Sequence, residues 1–163
     1  MKKKNDISEK TNVMRLLDAA SIEYISHTYD PEKAVSATEV ASILNQDVES
    51  VFKTLVTVSK SREHYVFVIP GNAELDLKKA AKAAGEKNIE MLPSKELLPL
   101  TGYIHGGCSP IGMKKQFKTF IDETAMLFDS ICVSGGKRGE QIQLDPNQLK
   151  DYVGAEFVPL TKD

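Results

Sequence analysis

The chain has 163 residues, of which 41% are hydrophobic, so its size and apolar content suit one compact domain with its own core. Its 21 Lys and Arg residues against 23 Asp and Glu give a formal net charge of −2, which excludes a generally basic surface that coats nucleic acid nonspecifically. The apolar runs are far shorter than the roughly 20 residues of a transmembrane helix, so no contact with a membrane is expected. Two cysteines without CxxC spacing predict reduced thiols and a cytoplasmic location.

The N-terminal segment begins with three lysines and has no apolar stretch, so it lacks the hydrophobic region of a secretory signal. We expect residues 1–10 to form a flexible tail and residues 11–163 to form the folded domain. The first helix is predicted from about Thr11 to Ser21, where apolar residues recur at helical spacing. A strand, IEYISHTY, is predicted to follow it.

The next segments predict a helix and a pair of strands. Ser36 and Glu39 have the spacing of a capping box, which predicts a helix that buries Val40, Ile43 and Leu44. The strand VESVFKTLVTVSK and the strand HYVFVIPG are separated by a short polar turn, so they are predicted to pair as an antiparallel hairpin.

The second half of the chain predicts two further helices and several short strands. Leu77 begins a helix that is predicted to bury Leu77, Ala80, Ala81 and Ala84 and that ends at Gly85, and Asp145 with Pro146 begins another. The segments GYIHG, KTFID, SICVSGG, EQIQL and AEFVPL are predicted strands. We therefore predict an α+β fold with a single mixed, mainly antiparallel sheet or partial barrel and flanking helices.

Lys53 is the first candidate functional residue, because it lies near the middle of a strand among apolar neighbours. One interpretation is an edge lysine whose stem covers apolar surface while its ammonium group reaches water. The other is a pocket lysine, partly desolvated, that binds an anionic or carbonyl group. The strand pattern by itself favours the first.

Two glycine-rich loops are the second candidate feature. The loop HGGCSPIG carries Gly106 and Gly107, whose exposed N–H groups could bind a phosphate, a carboxylate or a developing oxyanion. The loop VSGGKRGEQIQL has Lys137 and Arg138 at its tip. Each could instead be an ordinary hairpin turn, but two such loops could form opposite rims of one pocket.

Other catalytic chemistries have little support. The three histidines show no zinc-ligand spacing with either cysteine, so no metal site is predicted. Cys108 lies in a glycine-rich loop, but the sequence places no histidine base beside it. A GxSxG elbow and a P-loop are both absent from the sequence.

Five segments, taken together and in order, resemble the YbaK/prolyl-tRNA-synthetase-associated domain family. They are HTYD, VFKTLV, LDLKKAAKAAG, TGYIHGGCSPIGMKK and VSGGKRGEQIQLDP, within about Thr11 to Thr161. The resemblance implies the editing-domain fold of that family and a trans-editing enzyme that removes cysteine from mischarged Cys-tRNA(Pro). It implies that the 3′ aminoacylated end of tRNA enters a pocket, that no cofactor is needed, and that prolyl-tRNA synthetase is a candidate partner.

The resemblance also implies the site residues. By motif match, Lys53 is the residue on which activity depends most. The substrate-binding positions that the match implies are Tyr29, Thr54, Gly106, Gly107, Ser109, Ser134, Gly135 and Gln141. Two positions depart from the pattern, because some members carry an aspartate in place of Gln141 and some carry a phenylalanine in place of Ser36. Both bear on the pocket wall and therefore on the preferred amino acid.

The mechanism proposed for YbaK-like enzymes fits the absence of an evident general base in these motifs. In it, the thiol of the substrate cysteine attacks its own ester, and the protein supplies position and charge stabilisation. Two alternatives stay open. One is hydrolysis of Ala-tRNA(Pro) by water, and the other is a non-catalytic module that binds tRNA or a synthetase.

Overall fold

The structure is a computed structural model that describes residues 10–163. The tail predicted for residues 1–10 lies outside the described residues except for Lys10, whose ammonium group pairs with Asp18 at 2.6 Å. The described helices are α1 (Asn12–Ala19), α2 (Ala37–Ile43), α3 (Leu77–Ala84), α4 (Leu97–Thr101) and α5 (Pro146–Val153). The described strands are β1 (Ile25–Thr28), β2 (Phe52–Ser59), β3 (His64–Pro70), β4 (Ile89–Met91), β5 (Lys118–Asp122), β6 (Ile131–Ser134), β7 (Glu140–Leu144) and β8 (Glu156–Val158).

The strands form two sheets, so the α+β class is confirmed but the prediction of a single sheet is wrong. The smaller sheet has the order β1-β7-β6 and is antiparallel throughout. The larger has the order β4-β2-β3-β5-β8, in which β3, β5 and β8 run parallel. Parallel pairing requires a long crossover, and here α3, β4 and α4 intervene between β3 and β5. An isolated bridge between Val51 and Cys132 connects the two sheets.

Local sequence signals determine the ends of the helices as predicted. Ser36 Oγ accepts a hydrogen bond from the Glu39 N–H at 3.2 Å, and Glu39 Oε1 accepts one from the Ser36 N–H at 3.1 Å, which confirms the capping box. Asp145 caps α5 through the Asn147 N–H at 2.7 Å. Gly85 ends α3 with a φ of 72° in the left-handed region.

Three local predictions are wrong. Ile43 is 42% exposed, because α2 turns mainly Val40 and Ala41 inward. Leu77, at the first turn of α3, is 39% exposed and faces an open groove. The segment GYIHG forms turns rather than a strand, because Thr101 Oγ1 accepts the Tyr103 N–H at 3.0 Å and the Tyr103 hydroxyl donates to the Ile111 carbonyl.

Strand β2 separates two apolar clusters and positions the site. Phe52 and Val56 belong to the larger cluster, which is built from both sheets and from α1 and α5. Leu55 packs on the second cluster, where α3 covers the larger sheet. The antiparallel β2–β3 hairpin is confirmed, whereas β4 pairs with β2 only over Thr57–Ser59. The first half of β2 therefore lies at an edge of the sheet, and Lys53 lies there.

No helix within residues 10–163 combines the length and the apolar character that crossing a bilayer requires.

Candidate active site

A cavity of about 300 Å³ lies at the first half of β2. The segment that leads into α2, the loop at residues 103–112 and the β6–β7 hairpin close it. Its wall is mainly apolar and includes a few polar side chains, as is typical of small-molecule sites. The lining residues are Tyr29, Val35, Ser36, Ala37, Val40, Val51, Phe52, Lys53, Thr54, Leu55, Gly71, Leu97, His105, Gly106, Cys108, Val133, Ser134, Glu140 and Gln141.

Lys53 is half-buried in this cavity and does not extend freely into solvent. Its Nζ donates a hydrogen bond to the Gly71 carbonyl at 3.2 Å. Burial lowers the pKa of Lys53, and the Glu74 carboxylate opposes that shift. Within residues 10–163 the other two Nζ hydrogens have no hydrogen-bond partner. This geometry corresponds to the pocket interpretation of the sequence.

Thr54, the next residue, presents an unsatisfied polar atom. Its Oγ1 is buried and has no hydrogen-bond partner within the described part of the chain. Leaving a buried polar group unpaired costs about 1–3 kcal/mol. A ligand that bonded to this hydroxyl would recover that cost.

The two glycine-rich loops line the same cavity and also contact each other. Arg138 Nε donates to the His105 carbonyl at 2.8 Å. A Cβ on Gly106 would lie 2.7 Å from Val35 Cγ1, and one on Gly107 would lie 3.0 Å from Lys137 Cα. Glycine is required at both positions because the loop backbone lies against the Val35 side chain at Gly106 and against the Lys137 backbone at Gly107.

Three of the predicted substrate-binding positions do not line the cavity. The Gly107 N–H donates to the Ile104 carbonyl at 2.9 Å, so this amide is not the exposed donor that the sequence predicted. Ser109 is fully buried, and its Oγ accepts the Ile111 N–H at 3.2 Å. The Gly135 N–H donates to the Glu140 carbonyl at 2.8 Å. These three residues hold the loops in shape.

The other six predicted positions lie together in the cavity wall: Tyr29, Lys53, Thr54, Gly106, Ser134 and Gln141. Ser134 Oγ accepts the Gly136 N–H at 3.1 Å, which orients its hydroxyl group within the β6–β7 turn. The cavity therefore combines residues from β2, β6, β7 and the segments that follow β1 and α4. Their roles toward a substrate stay predictions.

Gln141 has a partner that the sequence did not indicate. It is only 3% exposed, and its amide forms a reciprocal pair with Gln46, with N···O distances of 2.8 and 2.9 Å. Gln46 follows α2 and precedes the turn that leads into β2. The pair ties the β7 wall of the cavity to the segment that carries Lys53.

Comparison with known sequences identifies the family. The sequence profile described as the aminoacyl-tRNA editing domain matches residues 31–152. The chain belongs to this family. Among relatives of this editing domain, EbsC of Enterococcus faecalis, named provisionally as a Cys-tRNA(Pro)/Cys-tRNA(Cys) deacylase, is 46% identical over 97% of both chains. A proline–tRNA ligase of Pelobacter propionicus is 27% identical over 77% of this chain and 22% of the ligase.

Solved structures share the fold of the editing domain. One, described provisionally as a trans-editing enzyme for prolyl-tRNA synthetase, has a TM-score of 0.79 at 23% identity and covers 93% of this chain and 97% of its own. At that identity the likeness establishes the fold. The resemblance to the family that the five sequence segments indicated is therefore confirmed.

Two titratable residues of the editing-domain cavity were not predicted from the sequence. His105 precedes the glycine pair, and Glu140 precedes Gln141 on β7; both line the cavity. The sequence feature that could have indicated them is their position next to the glycine-rich motifs. Within residues 10–163 no group of three His, Cys, Asp or Glu side chains is placed to hold a metal ion.

Cys108 also lines the cavity, but it is not an activated nucleophile. Its thiol is buried, and burial raises its pKa to about 12. The thiolate is the reactive form of cysteine, so an activated cysteine has a lowered pKa. Cys108 therefore acts as an apolar wall residue at neutral pH.

Proposed function

We propose that this editing domain deacylates Cys-tRNA(Pro) in trans. The observation that carries the proposal is its 46% identity over 97% of both chains to EbsC, whose provisional name gives Cys-tRNA(Pro) and Cys-tRNA(Cys) as substrates. The family assignment supports aminoacyl-tRNA as the substrate class. The charged 3′ end of the tRNA would enter the cavity beside Lys53.

The size and polarity of the cavity support this substrate. A volume of about 300 Å³ is enough for an aminoacyl ester with part of the ribose to which it is attached. The two unpaired Nζ hydrogens of Lys53 and the Thr54 hydroxyl would donate to the ester carbonyl or to the phosphate of the terminal adenosine. Neither residue acts as a base in this scheme.

The chemistry would rest on the substrate's own thiol. The sulfur forms a bond to the carbonyl carbon, the bond from that carbon to the ribose oxygen breaks, and the thiol proton ends on the released ribose hydroxyl. The products are a cyclic thioester of cysteine and uncharged tRNA. Lys53 would stabilise the negative charge that develops on the carbonyl oxygen. The raised pKa of Cys108 argues against a covalent intermediate on the protein.

A second candidate function is hydrolysis of Ala-tRNA(Pro) by water. Alanine has no thiol, so this reaction would need a general base to activate water. His105 and Glu140 line the cavity and are candidates for that role. His105→Ala and Glu140→Gln should then abolish alanine release, whereas release of cysteine should persist if its thiol attacks directly.

The deciding experiment compares tRNA(Pro) charged with Cys, Ala or Ser at catalytic protein concentration. We expect Cys-tRNA(Pro) to be deacylated fastest. Lys53→Ala should lower kcat/KM by about 100-fold or more, the usual effect of losing one donor to a developing oxyanion, while the melting temperature stays unchanged. Lys53→Arg should retain part of the activity. Undiminished turnover by Lys53→Ala would refute the role of Lys53, and absence of turnover would favour a non-catalytic binding module.

The charge of the chain bears on its partners. A net charge of −2 predicts weak binding of free tRNA, so a prolyl-tRNA synthetase that releases or presents the mischarged tRNA is the partner we propose. The free, buried thiols of Cys108 and Cys132 agree with a reducing, cytoplasmic environment.

A further inference from the structure

A second groove adjoins the cavity on the α3 side of β2. It encloses about 600 Å³ and is open to solvent. The groove and the cavity share Lys53 and Leu55, so the two sites adjoin at these two side chains. The remaining lining residues are Glu74, Leu75, Asp76, Leu77, Lys78, Met91 and Lys162.

The groove exposes two large apolar side chains. Leu77, at the start of α3, is 39% exposed, and Met91, at the end of β4, is 44% exposed. Both line the groove. Exposed apolar groups beside charged ones are suited to the face of a nucleobase, which is flat and apolar while its edges are polar.

The charges of the groove favour an anion. Lys53, Lys78 and Lys162 oppose Glu74 and Asp76. Glu74 is neutralised by Lys162 Nζ at 2.6 Å, and Asp76 Oδ1 accepts the Lys78 N–H at 2.9 Å as the cap of α3. Within residues 10–163 no hydrogen-bond or ion-pair partner holds the Lys78 ammonium group, which leaves it available to a phosphate.

We infer that this groove binds the nucleotide that precedes the terminal adenosine of the tRNA 3′ end. Its cytosine would lie against Leu77 and Met91, and a backbone phosphate would contact Lys78. The inference rests on the proposed function, because it requires the aminoacyl ester in the cavity. Lys53 lines both the cavity and the groove, which fits the direction of the tRNA strand. The ester and the preceding nucleotide lie on opposite sides of the terminal ribose.

The test uses substrates of increasing length: cysteinyl-adenosine, cysteinyl-CCA trinucleotide and full Cys-tRNA(Pro). Met91→Ser and Lys78→Glu should each lower kcat/KM for the two longer substrates about five- to tenfold, because the first removes apolar contact with the base and the second removes a phosphate contact. Turnover of cysteinyl-adenosine should not change, because that substrate does not reach the groove.

Two matched variants act as controls. Met126→Ser removes an exposed methionine outside both sites, and Lys87→Glu makes the same charge change on an exposed lysine beyond α3. Both should retain wild-type kcat/KM on all three substrates. An equal loss on cysteinyl-adenosine and on cysteinyl-CCA, or no loss on either, would overturn the inference.

Binding of uncharged CCA, measured by NMR titration, separates the inference from the proposed function. Wild-type protein and both controls should bind CCA more tightly than adenosine, and Met91→Ser and Lys78→Glu should lose that difference. If wild-type protein deacylates none of the substrates but shows this binding pattern, the proposed deacylase function is refuted and the proposed nucleotide-binding groove is supported. If CCA binds no better than adenosine to wild-type protein, the groove inference fails.

Discussion

The Thr54 hydroxyl is a buried donor without a partner in the described part of the chain. Thr54→Val removes it with little change of shape, so the free energy of unfolding should stay the same or rise by up to about 1 kcal/mol. If the hydroxyl bonds to substrate, kcat/KM should fall about tenfold, the value of one hydrogen bond. Urea unfolding and deacylation of Cys-tRNA(Pro) measure the two effects.

Thr57 on the same strand provides the control. It is fully buried, and its Oγ1 donates to the Tyr65 carbonyl at 3.0 Å. Thr57→Val should therefore lower the free energy of unfolding by about 1 kcal/mol and leave kcat/KM unchanged. Identical behaviour of the two variants would show that Thr54 has no role toward substrate.

The Gln46–Gln141 pair positions the cavity wall through its two amide hydrogen bonds. Gln46→Leu leaves the buried Gln141 amide unpaired and should cost about 1–3 kcal/mol of unfolding free energy. Changing both residues to Leu should recover most of that loss, because neither amide is then stranded. The ratio of Cys to Ala release should shift in the single variant, since Gln141 lines the cavity.

A double-mutant cycle on unfolding free energy measures this coupling. Single effects that add within about 0.5 kcal/mol would contradict a direct pair, because that is the scatter expected of independent sites.

At the scale of elements, contact between the two glycine-rich loops shapes the cavity. Gly106 has a φ of +86°, and a Cβ there would meet Val35 at 2.7 Å and Arg138 at 3.0 Å. Gly85 also has a positive φ, of +72°, but nothing lies within 4 Å of its Cβ position. The two glycines thus differ in packing while sharing the same backbone constraint.

Gly106→Ala and Gly85→Ala separate these effects. Gly85→Ala should cost about 1–2 kcal/mol of unfolding free energy through its left-handed backbone alone and should keep full deacylase activity. Gly106→Ala should cost more and should also lower kcat/KM, because the loop must move away from Val35 and Arg138. Equal losses of stability with unchanged activity in both would show that loop packing does not control the site.

At the scale of the whole molecule, two buried thiols make stability depend on alkaline pH. Burial raises the pKa of Cys108 and Cys132 from 9.0 to about 12. Between these values the unfolded chain has lost the thiol protons and the folded chain retains them, so the free energy of unfolding falls as pH rises. The slope approaches about 1.4 kcal/mol per pH unit for each thiol above pH 9.

Urea unfolding between pH 8 and pH 10 tests this dependence. Tyr65 and Tyr103 have pKa values raised from 10.0 to about 12, so their contribution begins mostly above that range. A Cys108→Ala, Cys132→Ala double variant should be less stable at pH 8 but should lose less stability toward pH 10. An equal slope for the variant and the wild-type protein would contradict the assignment.

Signals between near neighbours in the sequence were enough to predict several features of this protein. The cap formed by Ser36 and Glu39, the end of α3 at Gly85 and the hairpin of β2 with β3 depend on residues a few positions apart, and all three are confirmed. The ordered motifs around Lys53 and the glycine-rich loops were enough to indicate the family.

Only the tertiary structure decided how distant segments combine. The two sheets, the contact of Arg138 with His105 and the pairing of Gln46 with Gln141, 95 residues apart, depend on contacts that periodicity does not encode. The same is true of the Gly107 N–H, which donates to the Ile104 carbonyl and is therefore not free for a ligand. Local propensity acts between backbone groups that are neighbours in the sequence. A donor in a cavity wall is free only when no residue distant in the sequence forms a hydrogen bond with it, and that depends on the tertiary structure.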